Sequence, residues 1–189
     1  MIFIIYNNSL GDISNVGNDT YNSVEKLLQY YIDNGYLPDL NIMALVPIMT
    51  SNTTPSGQVV VSDSSYATNA YKVFDGDTAT ATTWYPTTNG GTPNTVLGYK
   101  FTSAVLCRKI KHTMLASCEL HCIPVYSENG INWIDAGNSY VVNASNNIVE
   151  SIVTELNKHQ YWGIKVTKVI NTGGGSSCNT AELQFYGTM

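Results

Sequence analysis

The sequence predicts an all-β protein, a β-sandwich or jelly roll, with a short strand–helix appendage at the N-terminus. Two observations lead to this prediction. From residue 58 onward the chain consists of short apolar or alternating segments, which is the pattern of half-buried strands. Turns rich in Gly, Asn and Pro separate these segments at nearly regular intervals, and this spacing is typical of sandwiches and jelly rolls.

Each predicted strand follows from its residue pattern. Residues 59–61 are a β-branched run, and residues 95–101 and 108–114 alternate in polarity. The sequence SENG at residues 127–130 is a strong turn signal, since Ser, Asn and Gly favour tight turns. The further predicted strands are residues 120–126, 141–142, 148–153, 161–170 and 182–186.

Residues 1–46 differ from the rest and are predicted to form an N-terminal docking or assembly segment. An apolar strand at residues 2–6 precedes an amphipathic helix at about residues 20–33. A helix of this length forms no core alone, so its apolar stripe must pack on its own domain, on copies of itself or on another protein. Residues 47–57 are interpreted as a linker and residues 58–189 as the β-domain.

The composition limits the function classes. The chain has 189 residues, a net charge of −5 and only nine Lys and Arg, which are scattered, so nucleic-acid binding is not expected. Thirteen tyrosines among many uncharged polar residues are typical of β-proteins that act outside the cell, on a virion or against carbohydrate. No apolar run approaches the roughly 18 residues of a membrane helix, so membrane insertion is not expected. No signal peptide is recognisable, so we expect synthesis in a host bacterial cytoplasm and release, if at all, by lysis or within a virion.

The cysteines allow two interpretations. In the sequence CELHC at residues 118–122, a strand would place Cys118 and Cys122 on one face and His121 on the other. We therefore interpret these cysteines as small buried hydrophobic residues rather than metal ligands. A disulfide between Cys118 or Cys122 and Cys178 is also compatible with the sequence. The four cysteines are Cys107, Cys118, Cys122 and Cys178.

One turn offers ligands for a cation. The sequence DGDTAT at residues 75–80 places carboxylate, hydroxyl and carbonyl oxygens close together between apolar segments. Glu182, near the C-terminus, can supply a distant carboxylate. Hard oxygen ligands suit Ca²⁺ better than a transition metal, so we predict a structural Ca²⁺ ion here.

Four segments, in order, resemble a known family. They are YKVFDGD with Trp84 (residues 71–84), LGYKF (97–101), YSENGINW (126–133), and the closing YWGIKV (161–166) with AELQFYG (181–187). On these motifs, residues from about 50 to 189 resemble a coagulation factor 5/8 type C, or discoidin-like, domain. The nearest form is the galactose-binding-like jelly roll of the family 32 carbohydrate-binding modules.

The resemblance implies a set of ligands for the Ca²⁺ ion. In the family the ion is held by the Asp-Gly turn and by a glutamate near the C-terminus. Carried over to this sequence, the ligands are the carbonyl of Lys72, the side chain of Asp75, the carbonyl of Asp77, the carbonyl and hydroxyl of Thr80, the carbonyl of Ala181 and the carboxylate of Glu182.

The resemblance also implies a ligand site in the loops at one end of the sandwich, where family members bind sugars or sometimes lipid or protein. Trp84 and Trp133 are expected to pack into the sandwich, as these motif positions mostly do in the family. Arg108 and His112, four residues apart on a strand, are expected to face solvent and do not match the usual sugar-gripping residues. The candidate ligand-binding residues are Tyr66, Tyr85, Asn89 and Asn179.

The sequence contains no catalytic motif, and we expect no enzymatic activity. The predicted function is that of a bacteriophage virion protein, in a tail fibre, a baseplate or a capsid decoration, that adheres to host surface glycans. Residues 1–46 would contact other virion proteins, and a homo-oligomer is expected, with a trimer favouring a fibre. The alternatives are a purely structural decorating or cementing protein, and a free, extracellular bacterial lectin-like protein.

Overall fold

The computed structural model describes residues 42–62, 64–80, 82–84, 94–115, 118–143, 145–171 and 178–189. The chain divides into two units, residues 1–40 and residues 41–189. The predicted strand at residues 2–6 and helix at about residues 20–33 lie outside the described residues.

The described part of the second unit contains ten β-strands and one 3-10 helical segment, and each strand pair is antiparallel. Within these described residues, no helix has the length and apolar character needed to cross a membrane. The helical segment, Ser64–Phe74, follows the second strand. The strands are β1 Met43–Ala44, β2 Gln58–Val61, β3 Thr82–Trp84, β4 Thr95–Met114, β5 Cys118–Ser127, β6 Ile134–Asp135, β7 Tyr140–Asn143, β8 Ile148–Ile152, β9 His159–Asn171 and β10 Cys178–Thr188.

Strand β4 belongs to both sheets of the sandwich. Its first half pairs with β2 and β9. These strands, together with β5, β6 and β7, form the back sheet. Its second half, from Leu106, pairs with β10 and β8. These strands, together with β1 and β3, form the front sheet. The register shifts between Lys100 and Val105, where β4 crosses from one sheet to the other. The segments predicted as two strands, residues 95–101 and 108–114, are therefore one continuous strand.

The core lies between the two sheets and follows from strand alternation. On β10, Ala181, Leu183 and Phe185 are fully buried, and Trp162 and Ile164 of β9 are fully buried as well. Burial of one large apolar side chain stabilises the fold by about 1.5–3 kcal/mol. The two-sheet all-β architecture confirms the predicted fold class.

Residues that follow the boundary at residue 41 also belong to the sandwich. Strand β1 pairs with β10, and the N–H of Leu45 donates to the carbonyl of Phe185 at 2.8 Å. Met49 is buried in the core, where its sulfur lies 3.5 Å from the hydroxyl of Tyr99. Residues 43–57, assigned from sequence to the end of the N-terminal segment and to a linker, thus contribute a strand and a core side chain to the second unit.

Candidate functional site

The Asp-Gly turn after the helical segment is held in one conformation by its own side chains. The carboxylate of Asp75 accepts the N–H of Asp77 at 2.9 Å, and its other oxygen lies 2.8 Å from the hydroxyl of Thr80. The carboxylate of Asp77 accepts the N–H of Ala79 at 2.9 Å. Gly76 has a φ of +76°, in the left-handed region that favours glycine. The turn therefore gathers oxygen atoms around a fixed backbone.

Glu182 reaches this turn because of its position on β10. Its core-facing neighbours, Ala181 and Leu183, place the Glu182 side chain on the outer face of the front sheet, since side chains alternate along a strand. There one carboxylate oxygen accepts the N–H of Gly76. The other, Oε2, is buried and has no hydrogen-bond partner among the described residues. The second carboxylate predicted from the sequence is thus brought to the turn.

The surroundings of Glu182 favour the protonated form of its carboxyl group. Burial raises the pKa of Glu182 to about 8, and the negative charges of Asp75 and Asp77 add to this rise. The hydrogen bond from Gly76 and the charge of Lys111 oppose it. In the absence of a cation, the carboxyl group is therefore largely protonated at neutral pH.

The donor set fits a hard cation that takes main-chain as well as carboxylate oxygens. No group of three or more His, Cys, Asp or Glu in the described part of the chain is arranged to hold a metal, so the carboxylates alone form no metal centre. A register shift between Thr180 and Glu182 takes Ala181 out of the ladder with β4, as expected for the extra residue of a β-bulge. Lys72 lies in the last turn of the helical segment, just before Asp75. Carbonyl groups next to Asp75 and Glu182 could therefore complete the coordination that Ca²⁺ requires.

The strand ends define a loop end of the sandwich. Met114 pairs with Thr180 in the front sheet, and Cys118 pairs with Asn171 in the back sheet. Only residues 115–117 separate Met114 from Cys118, so these two pairs lie close together. Strand β3 ends at Trp84, which pairs with Cys178.

The predicted ligand-binding residues are only partly described. Asn179 lies at this loop end, opposite Thr83, and its side-chain Oδ1 is buried without a partner among the described residues. Tyr66 lies in the helical segment, but the structure describes neither its side chain nor that of Trp84. Tyr85 and Asn89 lie outside the described residues.

Two residues expected to face solvent are buried. Arg108 and His112 share a face of β4, as their spacing predicts, but this face points into the sandwich. Nδ1 of His112 lies 3.1 Å from the hydroxyl of Tyr140, and Nε2 lies 3.0 Å from the hydroxyl of Thr180. Burial lowers the pKa of His112 to about 3, so the ring is neutral. The expectation that Arg108 and His112 face solvent was wrong. A polar side chain can face the core when other polar groups are buried there to bond with it.

Cys107, Cys118 and Cys122 are buried, as the sequence interpretation predicted. Cys118 and Cys122 are buried on one face of β5, while His121 on the other face is half-buried and lies 2.9 Å from the carboxylate of Glu119. Cys118 is disulfide-bonded. Cys107 and Cys122 are free. Of the two pairings left open by the sequence, that of Cys122 with Cys178 is excluded.

Trp133 is not a core residue. It is half-buried at the surface, where its ring lies edge-on to that of Tyr161, with centroids 6.5 Å apart. The family position predicted packing into the sandwich, and this was wrong for Trp133. The signal available in the sequence was the position of Tyr161, which must face outward because Trp162 beside it faces the core.

Comparison with solved structures shows a recurrent fold. The chain is similar to the family 32 carbohydrate-binding module (CBM32) of AlyQ in complex with 4,5-unsaturated mannuronic acid, with 14% identity and a TM-score of 0.50, over 67% of this chain and 92% of that one. It is similar to chitosan-binding module 1 of a chitosanase/glucanase from Paenibacillus sp. IK-5, with 14% identity and a TM-score of 0.51, over 77% and 99%. A Clostridium perfringens module, CpGH89CBM32-4 in complex with GlcNAc-α-1,4-galactose, gives 9% identity and a TM-score of 0.51, over 78% and 96%.

These likenesses define the fold as the jelly-roll β-sandwich of carbohydrate-binding modules. They cover nearly the full length of the three modules. No family model and no curated protein sequence matches the chain.

Proposed function

We propose that residues 42–189 form a non-catalytic glycan-binding module that uses the loop end of the sandwich. The supporting observation is the similarity to carbohydrate-binding modules over 92–99% of their length, two of which are described in complex with sugars. Asn179 supports the same location, because its buried Oδ1 has no partner among the described residues and lies at that end. A fixed polar group beside loops is what recognition of sugar hydroxyls requires.

We further propose that a Ca²⁺ ion binds between the Asp-Gly turn and Glu182. The buried Oε2 of Glu182, which has no hydrogen-bond partner among the described residues, supports this, since such a carboxylate oxygen is costly unless a cation compensates it. The ligands would be Lys72, Asp75, Asp77, Thr80, Ala181 and Glu182. When bound, the ion supplies positive charge that neutralises the carboxylates. The residues of the chain would then tie the start of β10, and Asn179 with it, to the turn.

The biological setting that we propose is a bacteriophage virion, with residues 1–46 as the attachment to other virion proteins or to copies of the same chain. It is based on the sequence pattern of an amphipathic helix ahead of a β-domain. Display of several copies would compensate for the weak affinity of a single sugar site. A full-length chain that is a trimer in solution, while a chain lacking residues 1–40 is a monomer, would support a fibre-like assembly. A full-length monomer would contradict it.

The testing experiment is binding of the labelled full-length chain to bacterial cells and a broad glycan panel, in Ca²⁺ and after chelation. Saturable binding to one glycan class, competed by the free sugar and lost in an Asn179→Ala variant, is the expected result. Asn138→Ala is the matched control, since Asn138 is an exposed asparagine in the connection between β6 and β7. If the folded, Ca²⁺-loaded chain binds neither cells nor glycans, the module is a structural or decorating part of a particle.

A further inference from the structure

An aromatic surface lies away from the loop end. We call it the aromatic corner, and it consists of Lys100, Trp133 and Tyr161. The Trp133 and Tyr161 rings are nearly perpendicular, at 88°, and Nζ of Lys100 lies 5.5 Å from the centroid of the Tyr161 ring. All three side chains are half-buried. The ring of Tyr161 is thus flanked by a second ring and by a cation, which gives a surface that is partly apolar and carries a positive charge.

The turn that carries Trp133 is pre-organised. The hydroxyl of Ser127 accepts the N–H of Gly130 at 3.0 Å, and the amide oxygen of Asn129 accepts the N–H groups of Ile131 and Asn132, both at 2.9 Å. Gly130 lies against Tyr161, so that a Cβ at Gly130 would come within 2.7 Å of that ring. A ligand that binds here therefore pays little conformational entropy to order the turn.

Trp133 carries a polar group that no described residue engages. The indole N–H of Trp162, in the core, donates to the carbonyl of Val105 at 3.0 Å. The side chain of Trp133 is half-buried, and its indole N–H has no acceptor among the described residues, so this donor is available to a ligand. The turn also exposes Asn132 and Ile131, the latter 78% exposed. A donor without an acceptor among the described residues, an exposed amide and an aromatic face together suit a hydroxylated ring rather than an apolar protein surface.

The charge of Lys100 specifies the ligand class further. Lys109 and Lys165 of the same sandwich are paired with Glu150 and Asp135. Among the described residues Lys100, like Lys111 and Lys168, is in no ion pair, and its Nζ lies over the ring of Tyr161. A cation at the edge of an aromatic surface, with no ion-pair partner among the described residues, favours a ligand that carries a carboxylate.

We propose that the aromatic corner is a second glycan site, which binds a uronic acid residue of an acidic polysaccharide. The apolar face of the sugar packs on Trp133, its hydroxyls accept from the indole N–H and bond to Asn132, and its carboxylate pairs with Lys100. Tyr161 and Asn171 lie near the two ends of β9, about 30 Å apart at a rise of about 3.3 Å per residue. The corner is therefore distinct from the loop end, and one long polysaccharide could engage both.

The test uses the full-length chain and oligosaccharides of hyaluronan, galacturonic acid and mannuronic acid, with neutral chitotetraose as the uncharged comparison. Binding is followed by calorimetry and by the NMR resonance of the Trp133 indole N–H, which a Trp133→Phe variant assigns. At least one uronate oligosaccharide should bind and shift this resonance. Its affinity should fall at least tenfold in Lys100→Gln, stay within about threefold in Lys100→Arg, and fall with added NaCl.

Two results would overturn the proposal. One is that none of the three uronate oligosaccharides binds to the folded chain. The other is that one binds with equal affinity to the wild type, Lys100→Gln and Trp133→Phe. Loss of uronate binding in Asn179→Ala but not in Lys100→Gln would place the sugar at the loop end, which contradicts this proposal and leaves the proposed function standing. Because Lys100 is half-buried and outside the core, Lys100→Gln should fold, and its melting temperature verifies this.

Discussion

Glu182 accepts a hydrogen bond from the main-chain N–H of Gly76, while its second carboxylate oxygen is buried without a partner among the described residues. This hydrogen bond joins the C-terminal strand β10 to the Asp-Gly turn, which lies much earlier in the sequence. The second oxygen stays buried, so the free energy of the folded state depends on what compensates the charge of this carboxylate. A proton or a cation can compensate it, and the two compete.

Calcium should stabilise the chain through this oxygen. We expect the melting temperature to rise on addition of Ca²⁺, since a ligand that binds only the folded state stabilises it by mass action. In Glu182→Gln the increase should be largely lost. Asp135→Asn, which removes an exposed carboxylate paired with Lys165, is the matched control and should keep the full response. An equal response of wild type and Glu182→Gln would exclude Glu182 as a ligand.

Without metal, the stability should fall as the pH rises from 6.5 to 8. Burial raises the pKa of Glu182 to about 8, from a usual value of about 4.5. Between these values the folded state binds more protons than the unfolded state, so unfolding becomes easier with rising pH. The slope for one proton is at most about 1.4 kcal/mol per pH unit. Urea unfolding in EDTA measures it, and Glu182→Gln should give a flat profile in this range.

His112 should act in the opposite direction at lower pH. Burial lowers its pKa to about 3, well below the 6.5 of an unfolded histidine. The unfolded state then binds more protons between pH 6.5 and 3, so stability is lost as the pH falls through this range. The measurement is best made between pH 6.5 and 4.5 on Glu182→Gln, in which the opposing contribution of Glu182 is absent. A flat profile there would show that the ring is not buried as a neutral group.

The sandwich was predictable because its strands carry a repeated local signal. The alternation around Leu183 and Phe185 fixes which face of β10 is buried, and the same alternation places Glu182 outside, towards the turn. The approach of Glu182 to the Asp-Gly turn was therefore predictable from spacing together with the family resemblance, and the cation itself stays a prediction.

Other features depend on partners that the sequence does not show. His112 is polar yet buried, because Tyr140 and Thr180 reach it from two other strands. Trp133 is apolar yet half-buried at the surface, because Tyr161 of β9 lies beside its turn. Both contacts join residues far apart in sequence, and no local pattern records them.

Met49 should be essential to the stability of the sandwich although it precedes the region with strand patterns. It is fully buried, and its N–H donates to the carbonyl of Phe74 at 2.8 Å. We expect Met49→Ala to destabilise the chain by about 2–5 kcal/mol, since it leaves a cavity in the core. Met43→Ala is the control, because Met43 is 48% exposed and should cost far less. Chemical unfolding of both variants measures the difference, and equal effects would contradict a core role for Met49.

The free thiols should be unreactive until the chain unfolds. Cys107 and Cys122 are fully buried, and burial raises the pKa of Cys122 to about 12, so almost no thiolate forms at pH 8. Alkylation of the native chain should label neither residue, and alkylation in denaturant without reductant should label these two only. Cys118 is disulfide-bonded, so its label should require reduction, and Cys178 is the remaining cysteine that can pair with it. Peptide mass mapping distinguishes the sites, and labelling of Cys122 in the native chain would contradict its burial in the sandwich.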